Sequence, residues 1–325
     1  MKQQISSASA LAVLAALSAC GGSGTPSIVQ PSTTRLFAAD SGTAGKALQD
    51  SKTLTAQTGS TSTYEIDWNN HTTTLKSGTF EVFKNASGEL SMVVDGKTYD
   101  FAPGDRFVDP SDGLVYEYDI QDPANQVWLY LGSSTGTLDE ALDPNQSGYA
   151  QVWSYYVDVD QNGIAQQGYA VVGTETQAAD LALLPSATYS GRARMNLVPD
   201  TGYTGGSTSR TRVRSDMDLA ADFGAGTIAG NLTNISVEPP GGAETAVAGS
   251  ISMDQTTLAG NGFSGSLTPD AAFIAGQGAG FSANGTYAGI FYGPAADQVA
   301  GTLSMTGTDA SGNWNGSGYF IGTQN

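Results

Sequence analysis

The chain has one histidine, His71, and one cysteine, Cys20, among its 325 residues. Zinc sites and nucleophilic triads that use a histidine base need more of these two residue types than the chain has. Paired carboxylates hydrolyse glycosides in many enzymes, but the Asp residues in segments such as "PSDG" and "LDPN" are typical of solvated turns. We therefore expect a protein without catalytic activity.

Positive charge is scarce as well. The chain has 13 Lys and Arg against 31 Asp and Glu, which gives a formal net charge of −18. Nucleic-acid binding needs clustered Lys and Arg to neutralise phosphates, so this balance excludes a nucleic-acid partner. Only 14% of the residues are charged while 42 are glycine, and this composition favours strands and turns over long helices. Because a single core stops growing at about 250–300 residues, the length allows two domains.

The first 19 residues have the pattern of a secretory signal. Lys2 lies near the start, and the apolar run from Ala8 to Leu17 is too short to span a membrane as a mature helix. The segment ends in "LSAC", which resembles the lipobox of bacterial lipoproteins. This resemblance implies that Cys20 is acylated and becomes the first mature residue, and Gly21 after it implies the outer membrane. An ordinary secretory signal is the alternative, but a lone thiol has no other evident use in an exported protein.

A low-complexity segment and a first group of strands follow. Residues 20–60 are rich in Gly, Ser, Thr, Ala and Gln without an apolar period, which predicts a flexible tether. Residues 61–185 are expected to form a β-rich domain, which we call the handle. Asp95-Gly96 predicts a two-residue hairpin turn, and Pro185 ends a short helical pattern in "ETQAADLALLPS". The strand-like runs of the handle are "TFEVFKN", "LSMVVDGKTYDF", "GLVYEYDI", "QVWLYLG", "AQVWSYYVDVD" and "GYAVVGTET".

Residues 186–325 have longer strand patterns with regular alternation. In "RVRSDMDLAADF" the side chains of Met217 and Leu219 share one face, and those of Arg212 and Asp216 share the other. Eight such runs predict an all-β chain that ends in an eight-stranded antiparallel barrel filled by large and small side chains. An arginine in lipid costs about 2–4 kcal/mol near the midplane, so the charged outer face favours a soluble barrel. The runs begin near Ala187, Arg212, Gly226, Thr245, Leu258, Gly278, Gln298 and Asn313.

Three segments of this half carry a family resemblance. "GTYAGIFYGPAADQVAGTLSMTG", "ADFGAGTIAGNLTN" and "GNWNGSGYFIG" resemble the C-terminal barrel of the transferrin-binding protein B family of bacterial surface lipoproteins. In that family a strand ends in an aromatic-Tyr-Gly turn, here Phe291 to Gly293, followed by Ala and an acidic residue. Asp297 stands where the family more often has Glu, and Ala300-Gly301 stands where a Gly-Gly pair is common.

The resemblance implies an arrangement and a role. Family members place a β-rich handle before each barrel, are anchored to outer-membrane lipid, here through Cys20, and are displayed by a surface lipoprotein assembly modulator. They bind a protein or an iron-bearing ligand, which implies nutrient or iron acquisition by this single-lobed relative. A hemophore-like protein that binds haem through His71 or a tyrosine is an alternative, and an adhesive or structural lipoprotein is a second. Apart from the haem alternative, we expect no cofactor.

Aromatic residues of the handle are the candidate ligand-binding residues. Trp128, Tyr130, Trp153 and Tyr156 have the composition of interface hot spots. Because side chains alternate along a strand, about half of the aromatic residues are expected to face the handle core. Trp128 and Tyr156 are the expected exposed pair.

Three further features have structural explanations. "DVDQNG" has the start of a calcium loop, but Tyr169 stands where the bidentate Glu belongs, so a hairpin turn is expected. His71 in "DWNNHTTT" is expected in an exposed polar turn. Five arginines are expected on the outer barrel face, in cross-strand pairs with Asp216 and Asp218. These arginines are Arg192, Arg194, Arg210, Arg212 and Arg214.

Overall fold

Antiparallel strands in two sheets make up about two thirds of the described chain. The computed structural model describes residues 57–325 except 77, 85–88, 109–114, 123–124, 132–148, 161–162, 174 and 206–208. The predicted signal, Cys20 and most of the predicted tether lie outside the described residues. Within them, helices are too short or too polar to cross a membrane.

The handle is a sheet of ten strands. Its order is β5–β4–β3–β1–β10–β9–β8–β7–β6, and β2 pairs with the same edge of β1 as β3. All six predicted runs are strands, whereas β1, β2 and β6 have no counterpart among those runs, and β1 begins inside the predicted tether. The strands are β1 (Gln57–Asp67), β2 (Thr72–Lys76), β3 (Phe80–Lys84), β4 (Leu90–Val94), β5 (Lys97–Asp100), β6 (Arg106–Val108), β7 (Val115–Asp122), β8 (Asn125–Leu131), β9 (Ala150–Asp160) and β10 (Ile164–Gly173).

Local signals in the handle act as predicted. Asp95 and Gly96 have φ angles of 49° and 82°, which fits the type I′ turn expected between β4 and β5. Gly163 has a φ of 85° in the predicted hairpin between β9 and β10. A single-turn helix occupies Ala178–Leu181 and ends before Pro185.

The handle sheet curls around its own core. The rings of Phe80 and Tyr155 stack at 5.2 Å, so β3 packs near β9 inside the curl. Phe101, just after β5, stacks at 4.8 Å on Tyr118 of β7. The sheet therefore has one face turned inward on this core and another turned toward the rest of the molecule.

The second sheet is a closed eight-stranded antiparallel barrel. Its order is β12–β11–β19–β18–β17–β16–β15–β13, and β13 pairs with β12 to close the ring. The two-residue strand β14 adds to β13. The strands are β11 (Ala187–Pro199), β12 (Thr211–Asp222), β13 (Thr227–Glu238), β14 (Thr245–Ala246), β15 (Ile251–Ala259), β16 (Gly262–Pro269), β17 (Ser282–Tyr292), β18 (Gln298–Asp309) and β19 (Gly312–Gln324).

Three predicted strand starts differ from the structure, and one of them is Gly278, four residues before β17 begins at Ser282. Thr245 begins only the short β14, and the barrel strand begins at Ile251. Gly249, with a φ of 92°, lies between them in a conformation that glycine adopts readily. Leu258 lies near the end of β15, and the next strand starts after a turn at Gly260, whose φ is 65°. The alternating sequence pattern continues through both turns, so the predicted strand starts are displaced from the observed ones.

Aromatic rings fill one end of the barrel. Phe291 lies 5.1 Å from Phe223 and 5.4 Å from Phe263 between ring centroids. Gly301 lies opposite these rings, and a Cβ built on it would be 2.6 Å from the Phe320 ring and 2.0 Å from the Ala288 carbonyl oxygen. Glycine at this inward position therefore makes room for the rings, as the prediction of mixed large and small residues requires.

The handle packs against the outer face of β18 and β19. The Ser62 hydroxyl donates to the Leu303 carbonyl at 2.7 Å and lies 2.9 Å from the Ser304 hydroxyl. The Ser317 hydroxyl donates to the Ser62 carbonyl at 2.7 Å. Beside these bonds lies an apolar cluster of Tyr149, Ala150, Val152, Val171, Ile290, Tyr292, Ala300 and Tyr319. This handle–barrel junction buries both faces of β18.

The turn with the family resemblance lies at this junction. Gly293 has a φ of 87°, and its carbonyl accepts a 2.6 Å hydrogen bond from the Thr176 hydroxyl. The Tyr189 hydroxyl, inside the barrel, donates to the Ala296 carbonyl at 2.8 Å. The Gln298 side chain accepts from the Ala150 amide at 2.8 Å. The turn therefore joins the barrel core to the handle.

We expect Gly301→Ala to lower the free energy of unfolding by about 1–3 kcal/mol, the usual range for overpacking a core. The added methyl group would overlap the Ala288 carbonyl and the Phe320 ring. Urea denaturation followed by circular dichroism measures the change. Gly104→Ala is the control, because a Cβ there has no neighbour within 4 Å. Equal stability of the two variants would contradict the filled barrel end.

Candidate functional site

A groove opens where the handle sheet extends past the barrel. Beyond the junction, β7, β8 and β9 project over the outer faces of β11 and β12, leaving a cavity of about 410 Å³. The handle contributes an aromatic wall and the barrel contributes a basic wall. The groove is lined by Glu117, Trp128, Ser154, Tyr169, Arg194, Met195, Asn196, Arg210, Arg212, Val213 and Arg214.

The register of the handle sheet puts two predicted aromatic residues together. Trp128 of β8 is directly opposite Tyr156 of β9, and their half-buried rings stack at 6.1 Å with an interplanar angle of 13°. The predicted pair therefore lies together on the face away from the handle core, but it is half-buried rather than exposed. Tyr130 lies two residues along β8, where its backbone pairs with Glu117 and Ser154.

Trp153 differs from the prediction. It is 1% exposed and packs in the handle core with Tyr155 and Val157. Successive residues of a strand point to opposite faces, so Trp153 is turned away from Tyr156 and the groove. This correction removes Trp153 from the residues that can contact a ligand there.

A chain of aromatic contacts holds Tyr156 in place. The Trp68 indole N–H donates to the Tyr156 hydroxyl at 3.2 Å. Trp68 also stacks at 5.6 Å on Tyr203, whose ring meets the edge of Tyr64 at 6.3 Å. Sequence reasoning missed Trp68 and Tyr203 because they lie in polar loops rather than in alternating strands.

Tyr169 and Asn196 join the two walls at the floor of the groove. The Asn196 amide on β11 donates to the Tyr169 hydroxyl on β10 at 2.7 Å. Burial raises the pKa of Tyr169 above its ordinary value, so the hydroxyl remains protonated. The Tyr169 ring also packs on Tyr319 at 5.1 Å. The distance between the handle and β11 is therefore fixed at this point.

The basic wall contains two kinds of arginine. Arg212 and Arg214 form ion pairs with Glu238 at 2.8 Å and 3.0 Å, and Arg214 also contacts Glu244. Arg194 and Arg210, in contrast, have no carboxylate within 4.0 Å in the part of the chain that the structure describes. The buried Nε atom of Arg210 also has no hydrogen-bond acceptor among the described residues.

The predicted cross-strand arrangement is present for Arg192, which is directly opposite Asp216 in the β11–β12 pair, whereas Arg212 and Arg214 pair with Glu238 instead. The Asp216 carboxylate accepts a 2.7 Å hydrogen bond from Asn234, and that of Asp218 accepts a 2.9 Å bond from Ser190. Glu238 is directly opposite Arg212 in the β12–β13 pair. The sequence alone does not give this pairing because it depends on how β13 closes the barrel.

Glu117 adds a titratable group to the handle side of the groove. Burial, and then the negative charge of Asp119, raise the pKa of the Glu117 carboxyl. This carboxyl therefore takes up a proton at a higher pH than an ordinary Glu.

His71 lies in an exposed turn, as predicted, with a φ of 53°. Its Nδ1 atom is 3.1 Å from the Tyr203 carbonyl oxygen, and it does not line the groove. Among the described residues, no group of His, Cys, Asp and Glu side chains has the arrangement of a metal site.

Comparison with solved structures gives several similar proteins. Transferrin-binding protein B from serogroup B Neisseria meningitidis is 15% identical, with a TM-score of 0.41 over 82% of this chain and 43% of that one. A double mutant of the Haemophilus parasuis Hp5 protein is 16% identical, with a TM-score of 0.43 over 81% and 44%. HpuA from Kingella denitrificans, in complex with human haemoglobin, is 16% identical, with a TM-score of 0.38 over 94% and 95%.

The chain spans less than half the length of these two transferrin-binding proteins. Comparison with curated protein sequences gives no significant match.

The family model that matches the sequence describes the C-lobe and N-lobe β-barrels of transferrin-binding protein B, and it covers residues 184–323. This range holds all eight strands of the closed barrel and the turn at the junction. Residues 184–323 therefore belong to the family of β-barrels that form the lobes of transferrin-binding protein B.

Proposed function

We propose that the chain is a non-catalytic bacterial surface lipoprotein that binds a host protein, as part of iron acquisition, in the groove between handle and barrel. One observation carries the proposal: Trp128, Tyr156, Arg194 and Arg210 lie together at a fixed junction. Tryptophan, tyrosine and arginine are the residue types that contribute most to binding energy at protein interfaces.

The groove suits a partner segment with an apolar side chain next to a carboxylate. The apolar group would pack on the Trp128 ring, which the stack with Tyr156 holds rigid. The carboxylate would accept hydrogen bonds from Arg194 or Arg210, which lack carboxylate partners within the described chain. Arginine forms bidentate, charge-assisted hydrogen bonds with carboxylates, so this contact would add specificity.

Two properties of relatives support the choice of partners to test. The barrel family takes its name from transferrin binding, and HpuA is seen in complex with human haemoglobin. Transferrin and haemoglobin are therefore the first candidate partners. The predicted lipid anchor at Cys20, the tether and the surface lipoprotein assembly modulator would place the groove outside the cell, where such proteins are met.

Replacing Trp128 with Ala is expected to weaken partner binding about 30-fold or more, because a central aromatic hot spot contributes about 2 kcal/mol or more. Surface plasmon resonance would measure the dissociation constants for iron-loaded transferrin, iron-free transferrin and haemoglobin. Phe107→Ala is the matched control, since this aromatic side chain is 49% exposed on β6 and does not line the groove. The Arg194→Ala variant tests the contribution of the basic wall to partner binding. Arg192→Ala is its control, because Arg192 does not line the groove.

Equal losses in Trp128→Ala and Phe107→Ala would contradict the groove as the binding site. Binding of haem alone, unaffected by the groove variants, would favour the haem-carrier alternative instead. An absorption spectrum of the His71→Ala variant with haem would show whether this histidine is a ligand.

Partner binding is expected to strengthen as the pH falls toward the raised pKa of the Glu117 carboxyl. Glu117 then takes up a proton at a higher pH than an ordinary Glu. Loss of this negative charge leaves the arginines more attractive to the partner's carboxylate. Glu117→Gln should give the stronger binding already at pH 7 and a flatter pH profile. A profile that is as steep in Glu117→Gln as in the parent would assign the pH effect to another group.

Cys20→Ala is expected to release the protein from the membrane fraction, since the predicted anchor is the acyl chains on this residue. Cell fractionation with immunoblotting measures the distribution. A Ser18→Ala variant is the control, because it changes a neighbouring residue and keeps the thiol. Retention of Cys20→Ala in the membrane would rule out lipid anchoring at this residue.

A further inference from the structure

The barrel is filled at only one end. At the end opposite the aromatic rings, the interior contains a cavity of about 610 Å³. The sequence predicts a filled barrel, so this hollow is a further departure from the prediction. Eight-stranded barrels have an interior that is either filled by side chains or able to hold one small ligand. This barrel does both, one at each end.

Apolar side chains form the inner wall of the cavity. Met195, Leu232, Leu303 and Met305 line it, and each is less than 5% exposed. Methionine is flexible and polarisable, so it adapts to ligands of irregular shape. Such walls, at a volume within the range of about 300–1,000 Å³ typical of small-molecule sites, suit an apolar molecule.

A short helix lies at the mouth of the cavity. It spans Ala271–Gly276, and the Asp270 side chain accepts a hydrogen bond from the Phe273 amide at 2.7 Å. Phe273 itself lines the cavity, as does Phe281. Phe281 stacks on Trp314 at 5.9 Å. Three aromatic rings therefore form the wall on this side of the mouth.

Polar groups at the mouth would suit the polar end of a ligand. Thr204, Thr211, Ser311 and Asn313 are among the residues that line this part of the cavity. Trp314, 6% exposed, also lies in the wall, and its indole N–H is buried without an acceptor among the described residues.

The charged residues around the cavity indicate whether its ligand is charged or uncharged. The charged residues in the lining are Arg194, which belongs to the outer face of β11, and Asp309 near the mouth. The Asp309 carboxylate already accepts hydrogen bonds from Ser311. A buried charged headgroup would lack a counter-ion inside the cavity, and burying an unpaired charge is strongly unfavourable.

We propose that this end of the barrel binds one uncharged, lipid-like molecule, with its apolar part beside Phe273 and Phe281 and a hydroxyl or carbonyl group at the mouth. The cavity lies inside the barrel and the groove on its outer face, and Arg194, Met195 and Val213 border both. Binding there does not depend on the proposed partner or on its iron.

The uncharged fluorophore N-phenyl-1-naphthylamine provides the test. The full chain with Cys20→Ala is used without detergent, so that no acyl chain or micelle takes up the probe. We expect saturable binding of one probe per protein, with a blue-shifted emission, and an increase in the melting temperature with probe concentration. Absence of saturable binding would overturn the proposal.

Variants locate the probe in the cavity. Ala193→Phe fills the cavity from β11 and is expected to weaken probe binding at least about tenfold, a difference of about 1.4 kcal/mol. Ala220→Phe is the matched control, because Ala220 is exposed on the outer face of β12. If Ala193→Phe does not fold, Val213→Trp at the partly exposed wall replaces it. Unchanged binding in a folded cavity variant would overturn the proposal, whereas unchanged binding in Trp128→Ala is expected.

Competition tests the predicted charge of the ligand. Glycerol monolaurate and laurate have the same acyl chain, but only laurate carries a carboxylate. Stronger displacement of the probe by the uncharged compound is expected. Stronger displacement by laurate would contradict an uncharged ligand.

Discussion

The contact between Ser62 and the outer face of β18 and β19 sets the geometry of the whole molecule. Hydroxyl groups of Ser62, Ser304 and Ser317 form buried hydrogen bonds across it. Small polar side chains let the two sheets approach until backbone carbonyls become acceptors, and a buried donor left without such a partner would be costly. The contact is therefore specific in a way that apolar packing alone is not, and it fixes the angle at which the handle meets the barrel.

The groove follows from that angle. Near the junction, Tyr169 and Asn196 hold the walls together through one hydrogen bond, and the strands further out are free of the barrel. The handle sheet provides the aromatic wall and the barrel provides the basic wall. The groove therefore forms only where the two pack together. A binding surface built in this way is preorganised, which reduces the entropy that ordering would otherwise cost on binding.

Sequence reasoning predicted the barrel well because Met217, Leu219 and Phe223 alternate with charged residues, and burial on one face leaves this period in the sequence. Sequence reasoning missed β1 because the start of this strand lacks such an apolar alternation. Residues 61–63 read "TST", and they are buried by hydrogen bonds rather than by apolar packing. No hydrophobic period marks such a strand.

The same contrast holds for the candidate site. Trp128 and Tyr156 could be predicted from composition and alternation, but the basic wall beside them depends on how the sheets dock. The hollow barrel end was also beyond prediction, since Met195 and Met305 have the same alternating pattern whether they meet each other or leave a space. The volume of the cavity depends on the side chains of several facing strands, so the alternation within one strand does not predict it.

β11 separates the two cavities, because Met195 faces the barrel interior while Arg194 and Asn196 face the groove. A slip of one residue along this strand would exchange its two faces. Any insertion or deletion within it would then place arginine among the apolar walls and methionine against the handle in a single event. This strand can change by substitution but not in length, and a substitution at Arg194 or Met195, which border both spaces, would alter both at once.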